Sequence, residues 1–177
     1  MPDCGASTRR LASRSPMKVI TAVIAACFVV SATGVRAEER YGRAADNRIY
    51  AQSLVSEILA QERDLLWAGM HGVAPGSDQH TIIASTLDVI GKKDEDSDVL
   101  VATEGRSALV PNLKQSKLGV MLPLRDASGQ RIGALALAFK YPSPDVNEAR
   151  LFLKATAIRD RVAKRIPAFS DLFRPVP

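Results

Sequence analysis

The chain has 177 residues, a formal net charge of +5 and 46% hydrophobic residues. This length fits one domain with or without a targeting segment, and the composition excludes a wholly disordered chain. A pI near 9.5 would suit a nucleic-acid or anionic-membrane partner only if the basic residues belong to the folded part and cluster on one face.

The first 37 residues have the pattern of a cleaved secretory signal peptide. An uncharged, mostly apolar run at 19–33 follows several basic residues, and small or branched residues precede a cleavage position after Ala37. The run is shorter than the ~20 residues that a membrane-spanning helix needs. Met17 is an alternative start of the signal. The sequence therefore predicts a periplasmic or secreted mature chain without a transmembrane helix.

Two alternatives stay open at this end of the chain. The first is a lipoprotein, because the residues before Cys27 resemble a lipoprotein cleavage box in which that cysteine would be acylated and retained. The apolar run continues from Phe28 to Ala32, where a mature lipoprotein normally turns polar, and this disfavours lipidation. The second alternative is a permanent N-terminal anchor.

Cleavage after Ala37 changes the charge and the cysteine content. Residues 1–37 hold five of the 24 basic residues and one of the 19 acidic ones, which leaves a net charge of about +1. Both cysteines, Cys4 and Cys27, lie in the same segment. The mature chain is therefore predicted to have no nucleic-acid partner, no disulfide and no thiol chemistry.

The mature chain begins with a helical pattern. Apolar residues at helical spacing predict one long amphipathic helix over Arg43–Ala68, followed by an irregular glycine- and proline-rich segment. The β-branched run at His80–Leu87 predicts a strand. After the charged turn Gly91–Ser97, the sequence DVLVAT predicts a second short strand over Asp98–Thr103.

A hairpin follows, with its turn in the sequence RDASGQ. On either side of this glycine-containing turn, two sets of residues alternate with the two-residue period of a strand. The two segments are Leu118–Leu124 and Arg131–Tyr141. The second strand is apolar on both faces. It is therefore predicted to be central in an antiparallel sheet, with a helix on one face and packed loops or a ligand on the other.

The C-terminal part is predicted to be helical. Asp145 and Glu148 resemble a capping box, and the helix runs to about Arg165, where a basic last turn complements the helix dipole. The segment 167–177 is a tail whose apolar residues are predicted to pack on the domain, with partner binding as the alternative. The fold class is thus α+β, with a long N-terminal helix, an antiparallel PAS/Cache-like sheet and a C-terminal helix.

Two stretches of this chain resemble the Cache domains, the PAS-like extracellular sensory modules of bacteria. They are IIASTLDVIGKK (Ile82–Lys93) and the hairpin LPLRDASGQRIGALALAF (Leu122–Phe139). The resemblance implies a domain over 38–166 that binds a small ligand between sheet and loops. Cache domains usually lie between two transmembrane helices ahead of a transducer, and this chain has neither a second apolar span nor a transducer.

Four residues are candidates for ligand binding. His71 and His80 are the two histidines, and together with Asp78 they could make a three-ligand metal site. Ser85 lies in the strand that resembles a pocket-lining Cache strand, and Arg125 could bind a carboxylate bidentately. The alternatives are structural: a cross-strand hydrogen bond for Ser85 and an ion pair with the neighbouring Asp126 for Arg125. Trp67 is expected in the core or in a pocket wall.

No nucleophile and base pair, phosphate-binding loop or metalloprotease motif is present in the sequence. The chain is therefore predicted not to be an enzyme and to need no cofactor. The function predicted is an exported small-molecule-binding sensory module that acts through a protein partner. The alternative is a structural or protein-interaction protein of the cell envelope.

Overall fold

The computed structural model describes residues 41–142 and 146–177. The predicted signal peptide, its alternative start Met17 and the predicted helix start at Asp145 lie outside these residues. Within them, no helix is both long and apolar enough to cross a membrane.

The described residues form five strands and three helices, together with three short 3₁₀ turns. In chain order they are α1 (Tyr50–Gln61), β1 (Leu65–Val73), β2 (His80–Ser85), α2 (Asp96–Glu104), β3 (Ala108–Asn112), β4 (Lys117–Arg125), β5 (Arg131–Lys140) and α3 (Glu148–Ala163). The strands form one antiparallel sheet in the order β2-β1-β5-β4-β3. The α+β class and the antiparallel sheet are thus as predicted.

β5 is the middle strand of the sheet, as its two apolar faces predicted. Leu135, Leu137 and Phe139 point to one face, where they join the main core with α1 and α3. Ala134 packs on the other face against Val101 and Ala102 of α2. The small side chains on this second face leave room above the sheet.

The predicted long N-terminal helix is wrong in its length. α1 ends at Gln61, and Leu65–Val73 forms β1, which pairs with both β2 and β5. The pair Leu65 and Leu66 fits a helical stripe as well as a strand. Gly69 suggested a loop, but its place in the strand has another cause: the Trp67 indole lies over it, and a Cβ there would come within 2.6 Å of the ring.

The predicted strand over Asp98–Thr103 is also wrong, because this segment is α2. Glu95 caps the helix, and the side chain of Asp98 accepts a hydrogen bond from the Glu95 amide at 3.3 Å in a capping box. Gly105 ends the helix in the left-handed conformation, with a φ of 80°. β3 was not predicted, since its Pro111 argued against a strand; an edge strand tolerates it.

The C-terminal helix begins at Glu148, capped by the Asn147 side chain. Its buried side contains Leu151, whereas Leu153 is 68% exposed. Its basic last turn is engaged within the domain: Arg161 and Arg165 form ion pairs with Glu62 and Glu57.

The tail packs on the core, as predicted. Leu172 is fully buried, and Phe169 and Phe173 pack edge to face with their ring centroids 5.2 Å apart. The main chain is bound as well, because the amide of Tyr50 donates to the carbonyl of Arg174 at 2.9 Å. The tail is therefore a structural part of the domain.

Candidate functional site

A cavity of about 140 Å³ lies between α2, β3 and the sheet, on the face opposite the main core. Its walls are mostly apolar and include Trp67 of β1, Val110 of β3, Met121 of β4 and Ala136 of β5. Asp98 of α2 brings a carboxylate to its edge. Two larger depressions, of about 270 and 360 Å³, are more open to solvent. The 140 Å³ cavity is the least open of these three and therefore the better site for a small ligand, since burial of the ligand surface drives binding.

Ser85 fixes the indole that forms one wall of this cavity. The Trp67 indole N–H donates to the Ser85 hydroxyl at 2.9 Å, and the amide of Leu87 donates to the same oxygen at 2.9 Å. Ser85 is fully buried. Its hydroxyl therefore positions Trp67 through the cross-strand hydrogen bond that was the structural alternative for Ser85.

Substitution Ser85→Ala is expected to leave the indole N–H and the Leu87 amide without their acceptor. Loss of a buried hydrogen-bond partner costs about 1–3 kcal/mol, so the free energy of unfolding should fall by that amount. Urea denaturation followed by circular dichroism measures it. Ser97→Ala, at an exposed position of α2, is the control and should change stability by less than about 0.5 kcal/mol. Equal stability of the two variants would contradict the role of Ser85.

Gln52 is a buried polar residue that sequence analysis did not single out. Its side-chain amide donates to the carbonyl of Ser85 at 2.8 Å and accepts from the amide of Ser85 at 3.1 Å. The side chain thus ties α1 to the end of β2 behind the Trp67 wall. Its place among the apolar residues of the α1 stripe is the sequence signal that could have revealed it.

His71 lies on the same side of β1 as Trp67, and the two rings meet edge to face with centroids 6.4 Å apart. Its partner is Asp94: His71 Nδ1 and Asp94 Oδ1 are 2.8 Å apart, and both side chains are almost completely buried. Two atoms of this pair, His71 Nε2 and Asp94 Oδ2, have no hydrogen-bond partner among the described residues. Buried polar atoms are rarely left in this state, so the pair marks a polar site within an apolar face.

Asp98 completes a group of three with this pair. One donor atom from each of His71, Asp94 and Asp98 lies within 4.8 Å of the others. In the described part of the chain this is the group of histidine and acidic side chains close enough to share a cation; neither His80 nor Asp78 belongs to it. His80 lines the 270 Å³ depression instead. The structure thus brings together one predicted residue and two acids that sequence analysis did not assign to a site.

Arg125 serves the hairpin turn. Its guanidinium donates to the carbonyl of Gly129 at 2.7 Å instead of pairing with Asp126. The Asp126 carboxylate accepts from the Ser128 hydroxyl at 2.7 Å and from the amides of Ser128 and Gln130. The Ser128 hydroxyl bond, with these amides, holds the pKa of Asp126 below its ordinary value. Arg125 also lines the 360 Å³ depression, away from the 140 Å³ cavity.

No known protein-family profile and no curated protein sequence matches the chain. Solved structures do match its fold. A GAF domain from A. aeolicus, solved in an inactive state, superposes with a TM-score of 0.50 and 12% identity, over 73% of this chain and 89% of that one. The fold is therefore the GAF/PAS-like α+β fold, as the PAS-like part of the prediction required.

Two further similar structures superpose less closely. A type II free methionine-R-sulfoxide reductase from Thermoplasma acidophilum has a TM-score of 0.44 and 11% identity, over 71% of this chain and 93% of that one. A GAF sensor protein from Burkholderia vietnamiensis has a TM-score of 0.40 and 15% identity, over 69% and 78%. The expectation that this chain is not an enzyme stays a prediction.

Proposed function

We propose that this protein is an exported sensory module that binds a small molecule reversibly and reports it through a protein partner. The observation that carries the proposal is the partly enclosed, mostly apolar cavity on the α2 face of a GAF/PAS-like sheet, walled by a fixed tryptophan. Ligand sites are concave and mostly apolar, with few polar groups that set orientation. This cavity has that composition.

The cavity limits the ligand to a small molecule. A volume of about 140 Å³ is close to that of a dry protein cavity that holds benzene, at about 150 Å³. The walls suit a flat apolar body against Trp67, while the Asp98 carboxylate at the edge suits one hydrogen-bond donor or amine group. We therefore expect ligands of about six to ten non-hydrogen atoms with a single polar group.

Export is supported by the N-terminal pattern of residues 1–37, and the resemblance to Cache domains supports an extracellular sensor in particular. The intact mass of the protein recovered from the periplasm tests this part. Loss of residues 1–37 agrees with the proposal, whereas retention of an acylated Cys27 identifies a lipoprotein instead.

Ligand binding can be followed through the intrinsic fluorescence of Trp67, the one tryptophan of the chain. Small aromatic amines and related compounds, titrated into the metal-free full chain, should give a saturable change in emission. Ala136→Leu fills the cavity from β5 and should abolish the change. Ala149→Leu, on the exposed side of α3, is the matched control and should retain it.

The same compound should raise thermal stability. A ligand at 100 times its dissociation constant adds about 2.7 kcal/mol to the free energy of unfolding, provided that it binds only the folded state. A broad screen with no saturable fluorescence change and no thermal shift would contradict the proposal. So would binding that Ala136→Leu leaves intact while the variant is folded.

A protein-interaction role without a ligand is the second candidate. The tail, which the sequence suggested as a partner-binding segment, is packed against the core. One other surface favours it: β3 is a sheet edge, and Leu109, Val110 and Leu113 on or beside it are 38%, 61% and 66% exposed. Leu113→Asp should abolish partner binding under this alternative and leave the fluorescence titration unchanged.

A further inference from the structure

We propose that His71, Asp94 and Asp98 bind one divalent transition-metal cation at the edge of the cavity. The three side chains come from β1, from the segment before α2 and from the first turn of α2. One donor atom of each lies within 4.8 Å of the other two. The site shares Asp98 with the lining of the cavity, but the observations that carry it are those of this cluster alone.

The cluster is a built site rather than a group of exposed acids. His71 is 3% exposed, and the side chain of Asp94 is completely buried. Each of these two residues keeps one polar atom, Nε2 and Oδ2, without a partner among the residues that the structure describes. A buried carboxylate with an unused oxygen is costly, and a cation bound by Asp94 together with His71 Nδ1 would satisfy that oxygen. His71 Nε2 lies on the far side of the imidazole ring and would not bind this cation.

The backbone holds two of the ligands firmly. His71 lies in the interior of β1, with β2 on one side and β5 on the other. The amide of Asp94 donates to the carbonyl of His80 at 3.0 Å, one step beyond a bridge between Thr81 and Lys93. These main-chain bonds fix the separation of His71 and Asp94 before any ion is bound.

The distances require only a small movement of the third ligand. Two ligand atoms on a cation, each about 2.1 Å from it, lie roughly 3.0–3.4 Å apart. The 2.8 Å between His71 Nδ1 and Asp94 Oδ1 is close to this spacing. Asp98 would move by about 1–2 Å, and its competing bond to the Glu95 amide is long, at 3.3 Å.

The donor set selects the class of metal. One imidazole and two carboxylates suit Zn²⁺, Mn²⁺, Fe²⁺ or Co²⁺, whereas Ca²⁺ and Mg²⁺ prefer oxygen ligands alone. The two carboxylates also neutralise a dication. Three protein ligands leave coordination positions open, and Asp98 lines the cavity, so a donor atom of a molecule in the cavity could take one of them.

Zn²⁺ is the probe for this site. The full chain, freed of metal by chelation, is titrated with zinc by calorimetry, and one ion per chain is expected. Asp98→Asn keeps an acceptor for the Glu95 amide but loses the charge, and it should weaken zinc binding at least 100-fold. Asp96→Asn makes the same change two residues earlier in α2 and should stay within about threefold of the wild type. His80→Gln should behave like Asp96→Asn.

Nitrogen NMR of the imidazoles gives a readout that does not depend on a His71 variant that folds. The chain has two histidines, so His80→Gln assigns both spin systems. Zinc should shift the ring nitrogens of His71 and leave those of His80 in place. No stoichiometric binding, an unchanged affinity in Asp98→Asn, or a shift of His80 alone would each overturn the proposal. Ligand binding in the cavity is tested on metal-free protein with Ala136→Leu, so either proposal can fail without the other.

Discussion

Substitution Gly133→Ala is expected to destabilise the domain by about 2–5 kcal/mol, which is a large part of the 5–15 kcal/mol typical of a whole domain. Gly133 lies in β5 with a φ of 149°, which favours glycine. A Cβ at this position would overlap the main-chain oxygen of His71 in the neighbouring strand. Because that atom belongs to the backbone of a strand paired on both sides, it cannot move aside at low cost.

The matched control is Gly129→Ala, in the hairpin turn. Gly129 also has a positive φ, of 87°, but no atom lies within 4 Å of the place that a Cβ would take. Gly129→Ala should therefore lower the free energy of unfolding only by the cost of the left-handed conformation, about 1–2 kcal/mol. Urea denaturation followed by Trp67 fluorescence measures both. Equal losses would show that close approach to β1 does not matter at Gly133.

Substitution Leu172→Ala should lower the free energy of unfolding by about 2–5 kcal/mol, the usual cost of removing a fully buried leucine side chain. Leu172 is 0% exposed and packs in the main core, although it lies only five residues from the C-terminus. Removal of residues 168–177 should cost more. It also deletes the hydrogen bonds from the Tyr50 amide to Arg174 and from the Val176 amide to Arg48.

Leu153→Ala provides the control for this prediction. Leu153 is 68% exposed on α3, and the same substitution there should change stability by no more than about 0.5 kcal/mol. Stability is measured as the urea concentration at the midpoint of unfolding, with the slope of the unfolding free energy against urea concentration unchanged. If the chain lacking 168–177 unfolds at the urea concentration of the intact chain, the tail is not structural, and the partner-binding alternative for it regains support.

The elements that were predicted correctly are those whose sequence signals lie within a few consecutive residues. The hairpin of β4 and β5 was predicted because a two-residue alternation on both sides of a glycine-containing turn is typical of two antiparallel strands. β5 was placed at the centre because both of its faces are apolar. The strand at His80 was predicted from its β-branched residues, and α3 from helical spacing.

The errors lie where one pattern fits two structures. Leu65 and Leu66 extend the stripe of α1 by periodicity, but they begin a strand because β2 and β5 supply partners on both sides. The sequence DVLVAT has the composition of a strand, yet the caps at Glu95 and Gly105 make it a helix. Gly105 was a local signal for that helix end. Strand pairing outweighed helical periodicity in the first case, and helix capping outweighed composition in the second.

The residues of the candidate site were likewise predicted only in part. His71 was recognised from residue type, Ser85 from the resemblance of its strand to a Cache strand, and Trp67 as a core or pocket-wall residue, but their partners were not. Asp94 is 23 residues from His71 along the chain, and it meets His71 only because the segment before α2 folds back along β2. His80, nine residues from His71 and its predicted co-ligand, faces another depression.

The sequence by itself determined the α+β class, the hairpin and central strand, the apolar tail and the near-neutral charge expected after loss of 1–37. These depend on composition and on patterns within short windows. Only the tertiary structure decided the course of β1, the helical state of α2 and the meeting of His71, Asp94 and Asp98. The physical reason is that strand pairing and burial of polar groups join residues distant in the chain, and no local pattern contains those contacts.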